Sequence, residues 1–326
     1  MSDPILEWLI EKENPSVRYF ALRDLLDCPA DDRELQTARR AIMRSVPVEK
    51  ILAAQADEGY WAQPGWGYAP KYCGTDWTIL ILAELGADGR DKRIRRGVEY
   101  LLAHAQAAHG GFSAMANAQP SGALYCLNGN LVRALNALGY GADERVLRAV
   151  DWMSGAVFGE NAQAHSGSGT SGPNFACAAN GKLPCAWGAV KTLRAFASMP
   201  DALKTPRAKR AQDAACEFLL NGDLARANYP YTERVSGVWF KFGFPLGYTS
   251  DVLETVLALS EAGHARDARL KPALELVLSQ RDAQGRWTLK NSLNGKMWID
   301  LEEKNKPSKW ITLRARCVLK AAGVQA

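Results

Sequence analysis

Four cysteines are placed so that their thiols could carry out chemistry. Cys73, Cys126 and Cys185 each stand where a buried helix is predicted to begin, and Cys177 comes eight residues before the last of them. A helix N-terminus presents free N–H groups and partial positive charge, which favour anions and lower the pKa of a thiol. The three other cysteines of the chain are predicted to pack in the core. They are Cys28, Cys216 and Cys317.

The predicted chemistry is that of a zinc centre. Cys126, Cys177 and Cys185 are the expected ligands, with His165 or Asp251 as the fourth. Zinc accepts thiolate, imidazole and carboxylate in a tetrahedron, and an open position would make such a site catalytic. The alternative is that these cysteines only pack, because free cysteine is among the most buried residue types. The alternative for His165 is that its side chain is simply exposed to solvent.

Two long connections are predicted to lie at the mouth of a cavity. Residues 155–184 include His165, and residues 221–248 are rich in aromatic side chains. Loops of this length in a compact repeat protein are usually functional or disordered. Aromatic walls would bind an apolar ligand and stabilise a carbocation, although many of these rings are equally expected to fill the core. The predicted pocket residues are Cys73, Trp77, Tyr125, Trp187, Tyr248 and Trp310.

Three carboxylates are candidates for acid–base catalysis. Asp76 and Asp251 stand at predicted helix starts, and Asp300 precedes the last predicted helix. A carboxylate at a helix N-terminus is more often a cap, and the spacing of Asp251 and Glu254 is close to that of a capping box. Lys309 is placed to meet an anionic group of a substrate.

Helices of two alternating kinds must position these side chains. One kind is charged on one face, such as Lys92–Ala105, and the other is apolar nearly all round, such as the helix starting at Thr75. A helix that is apolar on every side is buried on every side, so the alternation predicts an inner ring inside an outer ring. The expected fold is an all-α toroid of about six inner and six outer helices with a central cavity. Residues 1–50 are predicted to close the ring, making 1–326 a single domain.

The bulk composition limits the classes of partner. The 326 residues carry 40 Lys+Arg and 35 Asp+Glu, a mild net charge of +5 with both signs interspersed, which argues against nucleic-acid binding. No apolar run is long enough for a membrane span, and the first residues do not have the pattern of a signal peptide. Seven scattered cysteines do not form a disulfide framework, which predicts a reducing cytoplasm. The oligomeric state cannot be read from the sequence.

A repeated glutamine–glycine–aromatic motif makes the chain resemble the α/α toroid superfamily of terpenoid cyclases and protein prenyltransferase β subunits. The copies are Gln55-Gly59-Trp61, Gln106-Gly110-Phe112 and Gln280-Gly285-Trp287. The helix openings 72–77 and 184–188 carry the same resemblance, which spans about residues 50–323. The chain is also similar to uncharacterised bacterial cyclase-like proteins through residues 126–130, 185–188 and 307–310.

The resemblance implies an enzyme that binds an apolar, isoprenoid-like substrate, but two family signatures differ. The Asp-x-Asp-Asp motif of squalene-type cyclases is absent, so protonation-initiated cyclisation of that type is not implied. Cys185 matches the zinc cysteine of prenyltransferases, whereas Leu183 and Asp251 stand where that family has its Asp and His. Three alternatives remain: a lanthionine-cyclase-like zinc enzyme that activates peptide thiols, a non-catalytic lipid- or peptide-binding toroid, and a scaffold that binds a partner on its outer surface.

Overall fold

The structure, a computed structural model, describes residues 3–160, 171–227 and 235–325. Helices dominate these ranges, and the only strands in them form one short antiparallel hairpin, β1 (Ser171–Gly172) and β2 (Ala176–Cys177). The helices described are α1 (Pro4–Leu9), α2 (Pro15–Phe20, continued by a π turn at Ala21–Leu25), α3 (Arg33–Ile42), α4 (Val46–Ala53), α5 (Thr75–Glu84), α6 (Lys92–His104), α7 (Tyr125–Ala137), α8 (Glu144–Phe158), α9 (Ala186–Ala197), α10 (Pro206–Leu220), α11 (Val252–Glu261), α12 (Lys271–Ser279) and α13 (Lys309–Ala322).

These helices form an α/α toroid, as predicted. The inner helices α5, α7, α9, α11 and α13 pack each against the next, and α13 packs against α2 and its π turn. Gly86, just after α5, faces the ring of Phe20 on α2, so the inner row returns to its start. Each inner helix packs against an outer helix, for example α5 against α6, α7 against α8 and α9 against α10. The N-terminal helices therefore close the ring.

Contacts of the C-terminal helix with the N-terminal segment hold this closure in place. Arg316 pairs with Asp3, Lys320 pairs with Asp27, and the Lys309 ammonium lies 5.5 Å from the centroid of the Trp8 ring. Elsewhere a glycine allows the inner helices to approach closely. A Cβ at Gly129 of α7 would lie 2.4 Å from the backbone of Lys191 on α9, so any side chain there would force the two helices apart.

The repeated glutamine–glycine–aromatic motif has a structural role. Gln55 donates its amide N–H both to the carbonyl of Gly59 in its own turn and to that of Arg93 in the first turn of the next outer helix. The backbone N–H of Trp61 then donates to Thr75 Oγ1, at the start of an inner helix. This first copy of the motif thus joins one outer helix to the next helix pair through hydrogen bonds.

The two other copies of the motif repeat parts of this arrangement. Phe112 N–H donates to Asn128 Oδ1, and Trp287 N–H donates to Thr312 Oγ1. Gln106 again donates to the carbonyl of its glycine, Gly110, and to the next outer helix. Gln280 differs, because its amide donates to the Phe240 carbonyl. The extra residue in this third copy accompanies that change of partner.

Most predicted helix boundaries agree with the structure to within a few residues, and two regions differ. Helix α8 extends to Phe158, so it occupies the first residues of the connection predicted as a loop from 155. The N-terminal inner segment is a short α-helix that continues as a π turn rather than one regular helix. Among the described residues, no helix has both the length and the apolar character needed to cross a membrane.

Candidate functional site

A cavity of about 320 Å³ lies where three inner helices begin. We call it the thiol cavity, because Cys126, Cys177 and Cys185 all line it. The other lining residues are mainly aromatic or apolar: Tyr68, Lys71, Leu124, Ala179, Asn180, Ala186, Trp187, Ser236 and Tyr248. Its volume lies at the lower end of the range for small-molecule sites, so it suits a compact ligand.

A small hairpin brings two of the cysteines together. Cys177 ends β2, and its backbone N–H donates to the carbonyl of Leu183 on the returning chain. Cys185 is the residue that caps α9, and its N–H donates to the Phe175 carbonyl on the same hairpin. A 3₁₀ turn over Ala178–Asn180 reverses the chain between them. The backbone of the hairpin thus fixes both thiols at the mouth of the ring.

The three thiols differ in acidity because their surroundings differ. The Cys185 S–H, with help from the backbone N–H groups of Ala179 and Asn180, lowers the pKa of Cys177 to about 6 despite its partial burial. The pKa of Cys185 is raised, because its proton is held by Cys177 and its side chain is buried. Burial, with repulsion from Cys177, raises the pKa of Cys126 to about 11. Of the three thiols, Cys177 is therefore the one that ionises most readily.

The predicted zinc site is only partly described by the structure. The three cysteines line one cavity, but His165 falls in 161–170, outside the described residues. Within the ranges that the structure describes, no group of three or more His, Cys, Asp or Glu side chains is arranged to hold a metal ion. Asp251, the other candidate for the fourth ligand, does not line the cavity. Its carboxylate accepts the backbone N–H groups of Gly243 and Glu254.

The predicted pocket residues separate into two groups. Trp187 and Tyr248 line the thiol cavity, and Trp77 packs behind Tyr248 with ring centroids 6.4 Å apart. The Lys71 ammonium lies 4.8 Å from the centroid of the Tyr248 ring, a cation–π contact at the cavity wall. Tyr68 completes this aromatic wall, although the sequence analysis did not single it out.

The other three predicted pocket residues point elsewhere. The Cys73 thiol donates to the Lys296 carbonyl on the loop before α13. The Tyr125 hydroxyl donates to the carbonyl of Gly172 in the hairpin. Trp310 stacks on Phe244 with ring centroids 4.1 Å apart and lines a different cavity. Their helices were located correctly, but their side chains face other neighbours than the thiol cavity.

The three candidate carboxylates have different environments. Asp76 is fully buried, neither of its carboxylate oxygens has a hydrogen-bond partner, and burial raises its pKa well above the usual value. Asp251 caps α11, and burial raises its pKa to about 7. Asp300 is exposed and accepts the N–H of Gly295 in a loop. Only Asp76 combines burial with unused hydrogen-bonding capacity.

Glycine makes room for the Asp76 carboxyl. Gly67 adopts φ +83°, and a Cβ there would lie 2.4 Å from Asp76 Oδ1. The neighbouring Tyr68 forms part of the cavity wall, and the negative charge of Asp76 is one of the influences that raise the pKa of the Tyr68 hydroxyl, burial being the largest. The Asp76 carboxyl, with its raised pKa, therefore lies close behind the aromatic wall.

The sequence analysis missed a buried network of charges inside the ring. Lys191 and Arg194 of α9 both donate to Glu254 of α11, and the side chains of all three are 3% exposed. Arg133 and Arg314 pair with Glu84 of α5, so five inner helices contribute to the network. A signal existed in the sequence, because Glu84, Arg133 and Lys191, among others of this network, stand in helices that are otherwise largely apolar.

Comparison with known proteins gives similarity at the level of overall shape. No family model matches the chain, and no curated protein matches it. A glycosyl hydrolase family 88 protein from Bacteroides vulgatus covers 98% of this chain and 99% of its own, with 11% identity and a TM-score of 0.49. The apo form of type II terpene cyclase MstE from Scytonema covers 95% of this chain and 88% of its own, with 15% identity and a TM-score of 0.46. No activity follows for this chain from likeness at this level.

Proposed function

We propose that the chain is an enzyme that binds a small apolar, isoprenoid-like substrate in the thiol cavity and acts on it with the Cys177 thiolate. The walls formed by Tyr68, Trp187 and Tyr248 support an apolar ligand. The aromatic faces are suited to stabilise positive charge that develops on such a ligand. The observation that carries the proposal is that three thiols of different acidity line one aromatic cavity.

The lowered pKa of Cys177 supports a chemical role rather than simple packing. A thiolate is both the nucleophile and the metal-binding form of cysteine, and cysteines that only pack in a core usually have a raised pKa. Cys216, buried on α10, is such a packing cysteine, and burial raises its pKa to about 12. In the absence of a metal, Cys185 would hold its proton next to Cys177 and donate it to a leaving group; as a zinc ligand it would be deprotonated.

Zinc is our proposal for the cofactor of this centre. The donor set favours it, because Cys177 and Cys185 approach each other and Cys126 lines the same cavity. His165 remains the proposed fourth ligand. A bound zinc ion would act as a Lewis acid or keep a thiol ionised. The protein's own contribution is to hold the thiols on the hairpin and to exclude water with the aromatic wall.

A second candidate mechanism is general acid catalysis by Asp76. It is favoured by the burial of this carboxyl, its unpartnered oxygens and its raised pKa directly behind Tyr68. A neutral acid in an apolar surrounding can protonate an alkene or a leaving group at neutral pH. Asp76→Asn would abolish turnover under this mechanism and leave apolar ligand binding intact. Under the thiolate mechanism the same variant would remain active.

Metal analysis of purified protein tests the zinc proposal. We expect about one zinc per chain in the wild type, in line with a single thiolate centre. Cys177→Ser and Cys185→Ser should each lose the metal, and Cys28→Ser, remote from the cavity, should keep it. Wild-type protein without zinc after purification in zinc-supplemented medium would rule out the metal but leave the thiolate proposal open.

Ligand binding tests the apolar pocket. The neutral dye Nile red should bind the wild type, and Trp187→Ala and Tyr248→Ala should weaken binding about tenfold by removing aromatic wall area. Tyr140→Ala is the matched control, because Tyr140 follows the C-terminal end of α7 and does not line the thiol cavity. Equal binding by all variants would contradict the proposal. Mass spectrometry of a co-purified ligand separates the alternatives. A ligand that has not been chemically altered favours a binding protein, whereas a peptide adduct favours a lanthionine-cyclase-like enzyme.

A further inference from the structure

A second cavity, of about 420 Å³, lies toward the ends of the inner helices α5, α7, α9 and α11, away from the thiol cavity. Its wall contains Arg23, Arg133, Arg194 and Arg314, and we call it the arginine cavity. None of these residues belongs to the thiol cavity, so the two sites are separate. A ligand here would differ in chemistry from the apolar ligand proposed above.

Positive charge is in excess in the arginine cavity. Its four arginines face three carboxylates, Asp24, Glu84 and Glu261. Arg194 is also paired with Glu254, which it shares with Lys191, so five cationic groups meet four carboxylates. The pKa of Arg133 is lowered, first by burial and then by the nearby positive charge of Arg194 and Arg314, even though Glu84 is close. Glu84 and Glu261 act in the opposite direction. The count of charges leaves one positive charge in excess around the cavity, and an added anion would reduce the repulsion between the guanidinium groups.

Two of the guanidinium groups keep donors for a ligand. Arg133 and Arg314 each give one nitrogen to Glu84, and no other hydrogen bond of either group occurs within the described residues. None of their nitrogens is among the buried polar atoms that lack a partner, so the unused N–H groups reach the cavity. A guanidinium has five donors in a fixed plane, which matches a carboxylate or phosphate.

The remaining wall is apolar and sets the shape of the ligand. Phe20, Leu257, Leu313 and Trp310 line it, and the Arg314 guanidinium lies 4.7 Å from the centroid of the Phe244 ring, which holds it in place. An inorganic anion would contact only the arginines, whereas an organic acid would also bury apolar surface. We propose that the arginine cavity binds a small organic carboxylate, with its carboxyl group on Arg133 and Arg314 and its apolar body against Trp310.

Two features of the cavity work against the ligand and set the expected effects. The C-terminal ends of helices carry partial negative charge, which disfavours an anion. Glu84 competes with the ligand for both guanidinium groups. Removing the Glu84 charge should therefore strengthen binding, the opposite of the effect expected for removing an arginine. A cluster with only a structural role would show neither effect.

Isothermal titration calorimetry at low ionic strength tests the proposal with benzoate, inorganic phosphate and uncharged benzyl alcohol as probes. We expect the wild type to bind benzoate saturably and not to bind benzyl alcohol. Arg133→Lys and Arg314→Lys should each bind benzoate about tenfold more weakly, and Glu84→Gln should bind it more tightly. Lysine keeps the charge that Glu84 needs, so these variants are expected to fold. Arg207→Gln, which breaks the surface pair with Asp151, is the control and should bind like the wild type.

Several results would overturn the proposal. The first is a wild type that does not bind benzoate. The second is an unchanged affinity for benzoate in both lysine variants, and the third is saturable binding of phosphate without binding of benzoate. Cys177→Ser should bind benzoate normally, because the thiol cavity is separate. Failure of the zinc or dye experiments would therefore leave this inference standing, and its own failure would leave the proposed function standing.

Discussion

The acidity of Cys177 gives the most direct test of the candidate site. With a pKa of about 6, roughly a tenth of the Cys177 side chains are ionised at pH 5. A thiol with the ordinary pKa of about 8.5 is ionised there to only about 0.03%. A less basic thiolate is also a weaker nucleophile, so absolute rates are a poor comparison, and partial burial adds a further factor.

The ratio of alkylation rates at pH 8.5 and pH 5 removes both complications, because they affect the two rates equally. From the ionised fractions, the rate at Cys177 should rise about tenfold between these values, whereas an ordinary thiol should rise by about 1,600-fold. Cys28 in the same chain is the internal reference, because burial and nearby carboxylates raise its pKa. Its rate should rise at least as steeply as that of an ordinary thiol.

The assay is timed iodoacetamide labelling of chelator-treated protein, with each cysteine-containing peptide quantified by mass spectrometry. Cys185→Ala removes the S–H donor and should steepen the pH dependence at Cys177 toward the ordinary value, whereas Cys185→Ser keeps a donor and should change it less. An increase near 1,600-fold at Cys177 in the wild type would refute the assigned thiolate. Slow labelling without the chelator, relieved by the chelator, would support a bound metal.

Three further predictions concern the core. Glu254→Gln should lower the free energy of unfolding by about 3–5 kcal/mol, because Lys191 would lose its buried counter-charge. The control Glu99→Gln removes an exposed carboxylate and should cost under about 1 kcal/mol. Equal urea midpoints for the two variants would contradict this. Burial raises the pKa of Asp76, so wild-type stability should fall as the pH rises above the ordinary aspartate pKa of about 3.9, by up to about 1.4 kcal/mol per pH unit. Asp76→Asn should show a shallower decline, with the remainder coming from Asp251, whose pKa is about 7, and parallel urea titrations of both proteins would decide the point. Asn128→Ala removes two buried hydrogen bonds and one partly buried one, so it should lower the thermal midpoint at a cost of about 2–4 kcal/mol. An unchanged calorimetric melting curve would contradict this.

The fold was predictable because its signals are local and repeated. Apolar helices such as α5 alternate with amphipathic helices such as α6, and glycines end several of them, including Gly86 and Gly323. The repeated motif contributes through hydrogen bonds between its own turn and the nearest helices, which a single sequence can reveal. Helix bounds were less exact, because tertiary packing extends α8 beyond its predicted end.

The candidate site was predictable only in part. Helix openings placed Cys126 and Cys185 at one end of the ring, and both line the thiol cavity. Cys73 also stands near a helix opening, yet its thiol donates a hydrogen bond to the carbonyl of Lys296, which is 223 positions away in the chain. The position of a residue within its helix fixes how far along the ring axis its side chain lies. The direction in which that side chain points depends on neighbours that are distant in sequence.

The sequence by itself determined the all-α ring, because helix periodicity and helix-ending residues act over a few positions of the chain. Only the tertiary structure decided which groups meet inside it. It paired Lys191 with Glu254, placed the Cys185 S–H as a hydrogen-bond donor to Cys177, and left Asp76 buried without a partner. The physical reason is that burial and electrostatic coupling depend on distances in space, which no local pattern encodes.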